Sequence, residues 1–291
     1  MITRIVLILA VGLLLAGCGG GAEATGGFGG SRRSVVAGFY PLAFLAERIG
    51  GDSADVRNLT PAGAEPHDVE LSPRDVDNVR RADVVLYLGS GFQPAIEDAV
   101  EGADGKTVDL LQGLELLKAE ESEGAGVDTH VWLDPLRFAQ MADRVGSVLG
   151  RPQAGRSYAK QLRRLDSEFE RGLRRCDRRD IVTSHAAFGY LAQRYDLEQI
   201  PVTGLSPEAE PSARDLEHVV DQVKKHGATT VFFETLVSPR LAETVAREAG
   251  ARTAALNPIE GLSKDELADG QNYFSIMRAN LSALRQALGC R

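Results

Sequence analysis

Positive charge, cysteine and long apolar runs are all scarce in this chain of 291 residues. Its 33 Lys and Arg are outnumbered by 41 Asp and Glu, giving a formal charge of −8. That deficit argues against a nucleic-acid partner, whose phosphates call for a basic surface. There are 3 Cys, and the two later ones, Cys176 and Cys290, are too few for a thiolate cluster of the structural zinc type. The apolar run at residues 5–16 is shorter than the roughly 20 residues that span a bilayer. What remains is ordinary for a globular protein: 43% hydrophobic and 25% charged residues. The length allows two lobes with separate cores.

The short apolar run has a compartment to explain. It follows a basic start at Arg4 and leads into Leu15-Ala16-Gly17-Cys18. That tetrapeptide resembles the bacterial lipobox. The resemblance implies cleavage before Cys18, which leaves residues 1–17 as a signal peptide and Cys18 as a lipid-modified N-terminus. An ordinary secretion signal with a chance Cys is the alternative. Residues 19–30 are nearly all small, so residues 18–33 read as a flexible tether. In an exported chain Cys176 and Cys290 are expected to pair as a disulfide; two unpaired thiols are the alternative.

Beyond the tether, short apolar runs alternate with helical periodicity. Strands are expected at residues 34–40, 55–59, 84–89 and 107–110, then at 181–184, 199–203, 229–233 and 252–256. Helices fit between them, several opened by Pro at the first helical position. A long amphipathic segment separates the two series. Tyr158, Leu162, Leu165, Phe169 and Leu173 fall on one helical face, with charges on the others. Continuous apolar strands alternating with helices predict parallel sheets. The expected fold is therefore two α/β lobes, residues 34–150 and 177–291, with the long helix over residues 151–176 as a strut between them; a plain surface helix of one domain is the alternative.

Three of the five His stand at loop or strand ends. His67 lies in Glu65-Pro66-His67-Asp68. His130 lies in Asp128-Thr129-His130-Val131-Trp132-Leu133-Asp134-Pro135, where a short apolar, strand-like piece stops at an N-cap and a Pro. His185 ends the strand-like run at 181–184. In open α/β sheets, ligands gather beyond the carboxyl ends of strands. Neutral imidazole suits zinc, and three His leave a fourth position to fill. Asn257 follows another strand-like run, and Glu234 ends one; taken singly, each His also reads as a surface or capping residue. His218 and His226 read as surface residues of a charged helix, and Asp134 as a cap.

Several motifs, in order, carry a family resemblance. Pro61-Ala62-Gly63-Ala64-Glu65-Pro66-His67-Asp68, Thr129-His130-Val131-Trp132-Leu133-Asp134-Pro135 and Ser184-His185-Ala186-Ala187-Phe188-Gly189-Tyr190-Leu191 resemble three signatures of the cluster A-I solute-binding proteins. These serve bacterial ABC importers of zinc and manganese. The resemblance implies two lobes about a rigid helix, with metal held between them by His67, His130, His185 and a residue in the place of Asn257. It implies a monomer on the extracytoplasmic face of the cell membrane, an ABC permease as partner and no enzymatic activity. His at the third position resembles the zinc receptors, so Zn²⁺ is expected, with Mn²⁺ as the alternative. Two departures stand out. The family's Leu-Asp-Pro motif is here Leu256-Asn257-Pro258, which replaces a carboxylate with an amide, a weaker zinc ligand, so Asn257, water, Glu65, Glu234 and Glu260 are the candidates for the fourth place. Residues 118–127 hold acids where zinc receptors often carry a His-rich loop. A zinc-dependent hydrolase and a surface adhesin on the same fold are rival functions.

Overall fold

The computed structural model describes residues 32–119, 126–209 and 211–291. Cys18, the signal peptide and almost all of the tether lie outside the described residues, as do six residues of the acidic loop at 118–127.

The first half runs β1 (Arg33–Ala37), α1 (Tyr40–Gly50), β2 (Ala54–Asn58), α2 (Pro73–Arg81), β3 (Val84–Tyr87), α3 (Pro94–Val100), β4 (Lys106–Asp109) and α4 (Pro135–Val148). Its strands form a parallel sheet in the order β2-β1-β3-β4. After α5 (Pro152–Leu173) the second half runs β5 (Asp180–Thr183), α6 (Gly189–Tyr195), β6 (Glu198–Pro201), α7 (Ala213–His226), β7 (Thr230–Phe233), α8 (Arg240–Ala249) and β8 (Arg252–Ala255). Its sheet has the corresponding order, β6-β5-β7-β8, again parallel. Two helices close the chain, α9 (Lys264–Ala268) and α10 (Tyr273–Leu288). The α/β class and the two parallel sheets agree with the sequence expectation; α9 was not foreseen.

Helix boundaries follow local chemistry. Ser72, Ser212 and Ser263 each accept from the backbone three residues on, with an acid returning the bond in a capping box. Asp134 caps α4 by accepting from Leu136 N at 2.8 Å. The strand-like piece 131–133 is instead one turn of 3-10 helix. Tertiary partners override its β-like composition: all three side chains are buried. Trp132 Nε1 donates to Pro258 O, and Tyr273 Oη donates to Trp132 O.

The inner faces of the two halves do not keep separate cores. One apolar body runs from β1 and α1 through α4, α5 and α10 to α6. The α5 residues Tyr158, Leu162, Leu165, Phe169 and Leu173 sit inside it. Each such side chain contributes about 1.5–3 kcal/mol on burial, which anchors the 22-residue helix in this core. Smaller cores cover the other face of each sheet. Cys176 and Cys290 form a disulfide that ties the end of α10 to the segment before β5. Residues Arg32–Arg291 make one compact unit.

Candidate metal centre

Parallel strands deliver their following loops to one end of each sheet. His67 comes from the loop after β2, His185 lies two residues past the end of β5, and Glu260 sits in the loop after β8. His130 precedes the turn that leads to α4. These four side chains converge, each offering one donor atom within 4.8 Å of the others. His130, His185 and Glu260 are buried, while the His67 side chain is 12% exposed and marks the open side.

The geometry centres on Glu260 Oε1. It lies 3.5 Å from His67 Nε2, 3.2 Å from His130 Nε2 and 3.1 Å from His185 Nε2. The Nε2 atoms of His130 and His185 are 3.4 Å apart. A tetrahedral zinc with bonds of about 2.0–2.1 Å separates its donors by about 3.3–3.4 Å. The observed spacings therefore fit around one ion. His67 Nε2 is buried and has no hydrogen-bond partner, which leaves a donor atom waiting for a ligand. Three imidazole nitrogens and one carboxylate oxygen form a donor set suited to zinc.

Outer partners orient two of the rings. Asp128 Oδ1 accepts from His130 N at 2.9 Å and lies 2.8 Å from His130 Nδ1. Glu234, just after β7, places Oε1 2.6 Å from His185 Nδ1. Each carboxylate holds Nδ1, so each Nε2 faces the centre. His67 is placed differently. Its backbone N–H donates to Glu65 Oε1, and Gln93 Nε2 donates to Pro66 O to hold the loop. Its ring packs edge-on against Phe92.

Charge is tightly coupled here. Burial alone would lower His130, but Asp128 and Glu260 outweigh it and push the imidazole up to about 9. Burial also opposes the charged form of His185, yet Glu234 and Glu260 raise it well above the usual range. Burial works against ionised Glu260 too, but the surrounding imidazoles hold it well below the carboxylate range. Burial lowers His67, against the opposing pull of Glu260. Glu65 is pushed up to about 8, first by burial and then by Glu260, and its Oε2 is buried without a partner. The cluster free of metal thus holds protons that a divalent cation would displace.

Of the residues read from the sequence, the fold brings together His67, His130, His185 and Glu260. It does not bring in Asn257. That side chain turns back on its own loop: Oδ1 accepts from Ile259 N, and Nδ2 donates to Thr235 Oγ1 and Glu266 Oε1. Its backbone is held by Asn280. Ile259 takes φ 58°, costly for a β-branched residue, and the turn swings Glu260 toward the histidines. Glu234 and Glu65 contact histidines away from Nε2. Asp128 was overlooked as an orienting group. An acid two residues before a candidate His is the signal that could have found it. His218 lies 3.4 Å from Gln222, and His226 pairs with Asp180, both away from the centre.

Comparison with known proteins agrees with this architecture. Residues 35–287 match the family model of the periplasmic zinc-uptake complex component A, ZnuA. The high-affinity zinc uptake system protein ZnuA of Bacillus subtilis is 32% identical over 306 residues, covering 97% of this chain and 96% of that protein. The Zn(II)-bound ZnuA-like domain of Streptococcus pneumoniae AdcA superposes with a TM-score of 0.74 at 34% identity, over 88% of this chain and 99% of that one. Of the full-length zinc-binding lipoprotein AdcA from that species, the chain spans 60%. The laminin-binding protein Lmb of Streptococcus agalactiae, described as both adhesin and metal transporter, gives a TM-score of 0.79 at 29% identity, over 88% of this chain and 99% of that one. With a family match over most of its length and a relative aligned nearly end to end, the chain belongs to the ZnuA family of zinc-uptake solute-binding proteins.

Proposed function

We propose that the chain is a lipid-anchored, monomeric receptor on the extracytoplasmic face of the membrane, which captures Zn²⁺ and passes it to an ABC permease. In this reading His67, His130, His185 and Glu260 ligate the ion. Residues 1–17 are removed, residues 18–33 tether the receptor through Cys18, and lobes 34–150 and 177–291 meet at the metal about the linking segment 151–176. The observation that carries the reading is the convergence of three Nε2 atoms on one Glu260 oxygen. Three nitrogen donors favour zinc over manganese, which prefers oxygen. Glu260 completes a fourfold set, the closed arrangement of a binding site rather than the open one of a zinc hydrolase.

Capture then proceeds by exchange. Zn²⁺ enters past His67, the one partly exposed ligand. It displaces protons from His130 and His185, while Asp128 and Glu234 keep both rings aimed. The test is metal content and competitive titration of residues 32–291. We expect one tight Zn²⁺ per chain, lost in His185→Ala and much weakened in Glu260→Gln, but not tightened in Asn257→Asp. Tightening in the Asp variant would return the fourth position to Asn257. Absence of a tight Zn²⁺ in the unaltered protein would overturn the reading.

A further inference from the structure

The charge of this acidic protein is unevenly spread. Ten of its Lys and Arg, but only four of its Asp and Glu, fall in residues 151–179. Structure sorts these charges onto one side of α5. At 100° per residue, Arg156, Lys160, Arg164 and Arg171 lie within an arc of about 80°, roughly opposite the buried face. Arg174 and Arg175 continue the row just past the helix. All six are exposed. Among the described residues none of the six has an ion-pair partner; the nearby pairs use Arg163 with Asp143, Arg194 with Asp166 and Arg278 with Glu168. Like charges four apart on a helix repel, so folding gives no reason to line them up.

Two further features bear on what this row meets. Its far end borders a cavity of about 460 Å³ whose lining holds four arginines, Arg171, Arg174, Arg179 and Arg194, against two acids, Glu170 and Asp196. Its near end lies by the point where the chain enters the fold. Arg33 opens β1 and donates to Val148 O at 2.9 Å, close to the turn into α5. The first described residues therefore lie beside that end of the helix.

We propose that the basic face of α5 rests on the anionic phospholipid headgroups of the membrane that holds the anchor. This goes beyond metal capture and rests on the lipid-anchor part of the reading above. Six unpaired cations in a row about 28 Å long match a surface of like-charged headgroups. The arginine-lined cavity offers room for a phosphate.

The test uses residues 32–291, which form one compact unit containing both sheets and the disulfide. This unit is sedimented with vesicles of phosphatidylglycerol and phosphatidylcholine, and with phosphatidylcholine alone. Binding to the anionic vesicles should be at least about tenfold stronger and should fade in high salt. It should drop at least about tenfold in Arg164→Glu/Arg171→Glu/Arg174→Glu. A control with the same net charge, Arg240→Glu/Arg247→Glu/Arg252→Glu, should keep most of it. Zinc titration should be unchanged in both variants. Equal binding to the two vesicle types, or equal loss in the two variants, overturns the proposal; the first result would turn attention to an acidic protein surface. Lipid labelling at Cys18 in cells is read separately, so failure of the anchor and failure of the basic face are distinguishable.

Discussion

Among the described residues two places gather histidine and carboxylate, and they surround their imidazoles differently. The first is the cleft of His67, His130, His185 and Glu260. The second is Asp180, Glu198 and His226, at the starts of β5 and β6 and the end of α7. Both satisfy a proximity rule. In the cleft, Asp128 and Glu234 occupy Nδ1 of two rings and leave Nε2 free to face the others. In the second cluster, His226 Nδ1 is itself spent on Asp180 at 2.7 Å, the side chain is 24% exposed, and Glu198 is exposed. His226 thus already has a structural partner in Asp180. Burial, outer partners and an unmade bond distinguish a metal site from an ion pair.

The comparison can be broken most directly by removing one imidazole from each place. His185→Ala should weaken zinc by more than the roughly 10- to 100-fold typical of outer partners, whereas His226→Ala should leave affinity unchanged in a competition titration. Comparable losses would mean that the second cluster also holds the ion. The outer partners come next. Asp128→Asn and Glu234→Gln should each cost roughly 10- to 100-fold in affinity, with the fold retained by circular dichroism. An unchanged affinity would remove the orienting role.

Protons sharpen the contrast further. His130 in the metal-free protein is pushed up to about 9, above its ordinary 6.5. Zinc must displace that proton below about pH 9, so affinity should fall as pH drops, by up to about tenfold per unit for each proton released. Titration calorimetry in buffers of different ionisation heat counts those protons. The sign for stability is opposite. A raised histidine stabilises the metal-free fold fully below about pH 6.5 and loses that contribution as pH rises through about 9. Metal-free Tm should therefore fall across this window, while the zinc-induced rise in Tm grows. The smallest effect belongs to the ion pair. His226→Ala should cost only about 0.5–1 kcal/mol in denaturant unfolding, as for partly exposed pairs.

Legibility in the sequence tracked the range of the interactions. The long helix was readable because Tyr158, Leu162, Leu165, Phe169 and Leu173 repeat at helical spacing. Proline at the first helical position marked helix starts locally. His67, His130 and His185 could be grouped because each sits where a motif or strand ends. Residues 131–133 misled, since their turn is held by Pro258 and Tyr273, far along the chain. The choice between Asn257 and Glu260 was equally hidden. It depends on a left-handed residue at Ile259 and on which partners the Asn257 amide finds.

By itself, then, the sequence determined the α/β alternation, the strut between the two sheets and the identity of the three imidazoles. Periodicity, caps and local motifs encode these within a few residues. Tertiary structure alone decided that the inner faces share one apolar body, that Asp128 and Glu234 aim the rings, and that Glu260 rather than Asn257 meets them. Those outcomes depend on distances between residues as far apart in sequence as His67 and Glu260, which only the packed fold brings together.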